Sequence, residues 1–266
     1  MIVGYDRLDS VATLTISRPD RRNALNHRAL DELHDGVRRT AADEVRVLVL
    51  TGDSDHFCAG ADLKELEDLA FTRALRAMLD DLAYLPIPTI AAISGACMGL
   101  GMQLALACDL RLATGDARFA VPVARLGLMV DHWTLQRLAL LGGHSMARWL
   151  TMTATPISAE RAFETGLVHE LVSPEADGPE TDGPGADGPG AAVLAAAHRL
   201  AAEMAQLAPL TLAGTKLGLN QLESDAAVLD PANTYRQAFE TAWASDDLVE
   251  GRRAFEERRA PRFGGR

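Results

Sequence analysis

Residues 94–110 read SGACMGLGMQLALACDL, and the order of residue types in this stretch decides the fold. It continues the apolar run PTIAAISG (Pro88 to Gly95), which is too evenly apolar for a half-exposed strand and predicts one buried on both faces. Glycines at 95, 99 and 101 then let the chain turn, and the residues that follow them form a helix. Strand, glycine turn and helix make the repeating unit of an α/β fold. Position 103 is where such a turn presents a reactive side chain. It holds glutamine, whose amide neither takes nor gives a proton at neutral pH.

The same grammar extends outward. VATLTIS (Val11 to Ser17) alternates like a half-buried strand. RPDRRNALN turns it into a helix that Asn26 caps and that carries Leu30, Leu33 and Val37, and VRVLVLTG (Val45 to Gly52) predicts a second fully buried strand. A helix over Thr72 to Leu85 leads to the opening stretch, and DLRLAT (Asp109 to Thr114) and RFAVP (Arg118 to Pro122) add short strands. From TLQRLALLGG onward the pattern is helical. SAERAFETGLVHELV predicts a helix, a Gly166 cap and a short strand, after the parallel sheet has ended. Residues 174–190 repeat DGP three times with no apolar residue except alanine, the composition of a mobile linker. Ala191 to Ala208 and Pro231 to Arg259 are amphipathic, and Leu200, Met204, Phe239, Trp243 and Phe255 can face another subunit as readily as their own domain. The expected organisation is a core over 1–173, a linker over 174–190 and a helical oligomerisation region over 191–266.

Charge and cysteine usage narrow the function classes. With 26 Lys and Arg against 37 Asp and Glu, the net charge is −11, and no basic block exists to neutralise phosphate backbones or anionic membranes. Cys58, Cys97 and Cys108 are odd in number, sit in apolar company and lack metal-ligand spacing, so they predict reduced thiols in a cytoplasmic protein. No apolar run is long enough to span a membrane, so the chain is expected to be soluble, without a transmembrane segment.

Two segments place small residues between a buried strand and a helix, where free N–H groups can be aimed at a ligand. They are HFCAGADLKEL (His56 to Leu66) and the opening stretch. Two converging donors of this kind stabilise negative charge developing on a carbonyl oxygen.

FCAGADL followed some forty residues later by SGACMGLGMQLALACDLR resembles the paired signature segments of the crotonase, or enoyl-CoA hydratase/isomerase, family. RPDRRNALN, RLGLMVDHWTLQRL and PISAERAFETGLVHEL match in order as well, leaving out the DGP segment. The chain also resembles actinobacterial hydratase-like members that share a GL..D.W...RL pattern, for which a role in fatty-acid metabolism with long acyl chains is implied. The resemblance implies a spiral of ββα units with a helical C-terminal trimerisation region, assembled as a trimer or a dimer of trimers. It also implies a coenzyme A thioester as ligand, with no permanently bound cofactor and no metal. The oxyanion-hole amides fall on Ala61 and Leu100, where leucine in place of the usual glycine implies less room. Coenzyme A contacts fall on Asn23, Ala24, Ala59, Ala61, Asp62 and Leu63, with Arg258, Arg259 and Phe263 reaching the nucleotide, often from a neighbouring subunit.

Hydratases of this family hold water between two glutamates. Here those positions are Gln103 and Val123, and neither can act as acid or base. Asp131 falls where some isomerases and hydrolytic members carry a working aspartate. It also stands where a helix N-cap is expected, which leaves a structural cap, a ligand-orienting group or a proton carrier open. Trp133 is expected to line the acyl pocket, His132 to be a surface neighbour, and His56 and Cys58 to be an exposed histidine and a small buried thiol. Three functions remain: an acyl-CoA binder with little or no chemistry, an Asp131-dependent isomerase, and an active enoyl-CoA hydratase. A carrier would further imply a fatty-acid enzyme as partner.

Overall fold

The chain begins with two antiparallel strands, β1 (Val3–Leu8) and β2 (Val11–Ile16). In the computed structural model, which describes residues 1–62, 69–126, 128–173, 188–223, 237, 241 and 244–266, the remaining strands of the main sheet all join it in parallel. Helix α1 (His27–Ala42) starts at Asn26, whose side-chain oxygen accepts from the Ala29 amide at 2.9 Å, as RNALN predicts. It leads to β3 (Val47–Gly52), and α2 (Leu69–Ala83) leads to β4 (Thr89–Ile93).

Beyond β4 the glycine turn is richer than predicted. Ala96–Met98 forms a strand, β5, in a second sheet before α3 (Leu100–Ala107) begins and returns the chain to β6 (Leu110–Thr114) in the first. The second sheet is completed by β7 (Arg118–Ala120) and β8 (Ile157–Ser158), in the order β5-β7-β8. Set among the glycines at 95, 99 and 101, the three residues of β5 read as part of the turn. Helix α4 (His132–Arg148), kinked at Gly143, and α5 (Ala159–Glu164) follow.

One expectation is overturned. The parallel sheet has not ended by the SAERAFETGLVHELV segment, because β9 (Glu170–Val172) pairs in parallel with β6 and extends the sheet to six strands, β1-β2-β3-β4-β6-β9. Buried Arg111 accounts for this return: its guanidinium donates to the carbonyls of Leu167 (2.6 Å), Ala105 (3.1 Å) and Cys108 (2.7 Å), tying the approach to β9 to the end of α3.

The apolar side chains of β3 divide between two cores. Leu48 and Leu50 pack with α1, α2 and α3, while Val47 and Val49 pack with Val193, Ala196, Ala197 and Ala201 of α6 (Pro189–Met204) on the opposite face. That is why VLVLTG is apolar without interruption. Helix α6 begins at Pro189, inside the run predicted as linker, and its Leu200 and Met204 pack against this second core of their own chain. Helices α7 (Pro209–Glu223) and α8 (Asp246–Glu257) follow. The expected linker over 174–187, together with Phe239, Trp243 and the Phe255 side chain, lies outside the described residues. Among the described residues no helix is long and apolar enough to cross a membrane.

Candidate active site

The two donor loops meet at the C-terminal ends of β3 and β4. Cys58 bridges in parallel to Cys97: the Cys58 amide donates to Ala96 at 2.8 Å and the Met98 amide to Cys58 at 3.0 Å. Two glycines permit the approach. Gly60 has φ +113°, and a Cβ there would stand 3.1 Å from the Met98 oxygen and 3.8 Å from the Leu100 nitrogen. A Cβ on Gly101 would fall 2.1 Å from the Cys58 carbonyl oxygen.

Ala61 and Leu100 lie on either side of this junction. Leu25 alternates its bonds around Ala61, donating to Gly60 and accepting from Asp62, so the Ala61 amide is bypassed. Leu100 opens α3, where the first amides have no intrahelical acceptor. Among the described residues, neither N–H has a hydrogen-bond partner. The Leu100 side chain itself is packed into the main core.

The expected coenzyme A residues separate by burial. Asn23 is fully buried. Its oxygen accepts from the Arg18 amide at 2.8 Å and its Nδ2 donates to the carbonyls of Asp53 and His56, so its side chain braces the loop from behind. Ala24 accepts from Arg18 Nη1 at 2.6 Å, and buried Asp62 pairs with Arg18 Nη2 at 3.1 Å. Ala59 and Ala61 keep partial exposure, while Leu63 lies outside the described residues. His56 is not an exposed bystander: its Nδ1 accepts from the Ala96 amide at 3.1 Å, binding the first loop to β5.

The chain does not bring its own C-terminal residues to this loop. Arg259 is held by Glu250, with Nη1 2.6 Å from Oε1, and by Glu257. The Phe263 carbonyl accepts from Arg46 at 2.6 Å, directly before β3, whereas the first loop follows the far end of that strand. Arg258 is exposed, with φ 53°.

Along α3, Gln103 is one turn beyond Leu100 and nearly buried. Its Nε2 donates to the Thr134 hydroxyl at 2.7 Å, and that hydroxyl donates to Asp131 Oδ1. Asp131 caps α4, accepting from the Thr134 amide at 2.9 Å, and its Oδ2 pairs with Arg76 at 3.3 Å. Burial alone would raise the Asp131 carboxyl. The Thr134 hydroxyl and amide and the Arg76 guanidinium together outweigh it and hold the group below its usual range, hence ionised. Arg76 also lies over the Trp133 ring, 3.9 Å from its centroid, and pairs with Asp80 at 2.8 Å. Trp133 and Val123 are partly buried against the main core, and His132 is exposed.

Sequence reasoning missed Arg76 and Thr134. Thr134 had a signal, since it stands at N3 after an Asp N-cap. Arg76 had none, because its partner Asp131 is 55 residues away.

Burial pushes the Cys58 and Cys108 thiols up to about 12 and Cys97 well above its usual value, so none supplies a thiolate nucleophile at neutral pH.

Comparison with known proteins identifies relatives of the whole chain. The profile of the enoyl-CoA hydratase/isomerase family matches residues 6–178. A protein of Mycobacterium tuberculosis (strain CDC 1551 / Oshkosh) named probable enoyl-CoA hydratase echA6 is 34% identical over 265 residues, covering 99% of this chain and 100% of that one. The 2,3-dehydroadipyl-CoA hydratase of Escherichia coli (strain K12) is 34% identical over 269 residues, covering 98% of this chain and 97% of that protein. The crystal structure of an enoyl-CoA hydratase/carnithine racemase from Magnetospirillum magneticum superposes with a TM-score of 0.88 at 27% identity, covering all of this chain and 96% of that one.

Proposed function

This chain belongs to the enoyl-CoA hydratase/isomerase family and has its crotonase fold, and from that premise we propose that it binds fatty acyl-CoA thioesters with little or no hydratase activity. The thioester oxygen would accept from the amides of Ala61 and Leu100. The coenzyme would run past Ala59, with Arg258, Arg259 and Phe263 supplied by a neighbouring copy in a trimer or a dimer of trimers. The observation that carries this reading is Gln103. In the position of the first family glutamate it is neutral, and its amide nitrogen is committed to Thr134. Val123, in the second position, is aliphatic. Losing one general acid or base typically lowers a rate about 10²- to 10⁴-fold, and here both are replaced.

The second reading is an isomerase using Asp131, and it draws on that side chain remaining 41% exposed despite its cap and its ion pair. Against it stands the engagement of the carboxylate by the Thr134 hydroxyl and amide and by Arg76, which makes it a weaker base than a free aspartate. A competent hydratase, as the relatives' names suggest, is the third.

Hydration of crotonyl-CoA, followed by loss of conjugate absorbance at pH 7, tests the proposal: the expected rate is near background. Turnover comparable to that of a paired-glutamate hydratase refutes it. Double-bond migration in the wild type that disappears in Asp131→Asn establishes the isomerase instead. Light scattering tests the trimer or hexamer, and fractionation the cytoplasmic location. Co-purification with fatty-acid enzymes tests for a recipient of the carried thioester.

A further inference from the structure

The two donor loops follow the C-terminal ends of β3 and β4, and a second concave site lies at the opposite edge of the sheet, where β4 and β6 begin. It is a cavity of about 530 Å³, a size that holds a small ligand. Its walls are aliphatic: Leu110 at the start of β6, Leu140 and Leu141 of α4, Met204 of α6, and Leu219 and Leu222 of α7. Leu140, Leu219 and Leu222 are 53%, 57% and 62% exposed. Leucines left open around one concavity, rather than scattered singly, mark a surface that takes an apolar occupant.

The polar groups define the head of that occupant. Among the described residues that line the cavity, Arg111, Arg137 and Lys216 stand against a single carboxylate, Asp109, so the groove is locally positive in a chain of net charge −11. Lys216 is only 7% exposed, and its ammonium donates to the Ile87 carbonyl at 2.9 Å and to Asp109 Oδ2 at 2.8 Å. Its third N–H has no described acceptor. Asp109 also accepts from the Thr89 amide at 2.7 Å and the Thr89 hydroxyl at 2.9 Å, so the ammonium is only one of its partners. His169 lines the same cavity, and its Nδ1 accepts from the Arg111 amide at 3.2 Å. Burial and the Arg111 charge lower the His169 value, so at pH 7 the ring is neutral with its proton on Nε2, for which no described residue is an acceptor.

Lys216 and His169 are thus both tied to residues 109–111, and each keeps one N–H to offer. We propose that this groove is a second ligand site, which binds a straight-chain fatty acid with its carboxylate on Lys216 and His169 and its chain along the leucines of α4 and α7. The chain covers the open leucines and the head takes the two donors, so one molecule answers both features. The inference goes beyond the thioester site and does not depend on it, because no described residue of the donor loops lines this cavity.

Calorimetric titration of the full-length protein with decanoate, octanoate and the uncharged decanol supplies the test. Decanoate is expected to bind about 10-fold tighter than octanoate, the value of two buried methylenes, and about 10-fold tighter than decanol, the value of a hydrogen bond to a charged group. Lys216→Met should bring decanoate level with decanol. Leu219→Glu, which sets a like charge in an already exposed wall, should weaken decanoate by about 10-fold or more and leave the mass by light scattering at the wild-type value. No binding of decanoate at about 1 mM, equal affinity for decanoate and decanol, or an affinity unchanged by both substitutions overturns the inference. Displacement of decanoate by butyryl-CoA overturns it too, by placing the chain in the thioester site. A reduced mass for Leu219→Glu does the same, by making the groove a contact between copies of this chain.

Discussion

The free amides of Ala61 and Leu100 and the chain of groups from Gln103 to Asp131 lie one helical turn apart, yet they respond to sequence in opposite ways. The first region is made of backbone amides, so leucine at 100 still supplies an N–H, and its side chain turns into the core. What that pair of loops requires is close approach, which Gly60 and Gly101 permit against Met98 and Cys58. The second region is made of side chains, and there one substitution changes the chemistry. Glutamine at 103 is tied by Thr134 to an aspartate that is itself committed to a helix cap and an arginine. On the function proposed above, the backbone amides would bind a thioester while the side chains beside them would move no proton.

The most forceful way to break this contrast is to restore the side chains alone. If the backbone half is competent, Gln103→Glu combined with Val123→Glu should raise crotonyl-CoA hydration by about 10²-fold or more over the wild type. No gain would mean that the hole itself is unfit. The converse is Gly101→Val, which drives a Cβ into the Cys58 carbonyl. It should weaken acyl-CoA binding by about 10-fold, the loss of one donor, and cost about 1–3 kcal/mol in urea unfolding.

A smaller effect separates cap from catalyst at Asp131. Asp131→Ala should destabilise the protein by about 1 kcal/mol through loss of the α4 cap. Its carboxyl is depressed in the folded state from the usual 3.8, so the stability it contributes is fully present above that value and is lost as pH falls through the folded value. The stability gap between wild type and variant should therefore begin to close as pH falls below 3.8. A gap that persists in acid would point to packing. The smallest expected signal is none. With all three thiols buried and shifted upward, a chromogenic disulfide reagent at pH 8 should titrate no cysteine in the native protein and all three after denaturation. Rapid reaction of Cys58 would show that the first loop opens.

Much of the fold was legible because it is written locally. Asn26 and Asp131 announce helix starts, Gly166 a helix end, and the uninterrupted VLVLTG a strand with a core on each face. The site was legible in outline, since the glycine loops and the neutral residues at 103 and 123 are matters of residue type. What could not be read were β5, too short to carry a period, the pairing of the expected short strand β9 with β6, and partners brought together across long loops. Asn23 finds its partners Asp53 and His56 30 and 33 residues away, and Arg259 is held by Glu250 of its own chain, contacts that residue type alone does not announce.

The sequence by itself determined that this protein has an α/β fold, two backbone-donor loops and no carboxylate at 103 or 123. Only the tertiary structure decided that β9 rejoins the sheet, that Arg76 holds Asp131, and that the Gln103 amide directs its nitrogen toward Thr134. The physical reason is range. Turns, caps and burial periodicity are set by neighbours within a few residues, whereas the direction of a hydrogen bond depends on which distant group the packed chain brings opposite it.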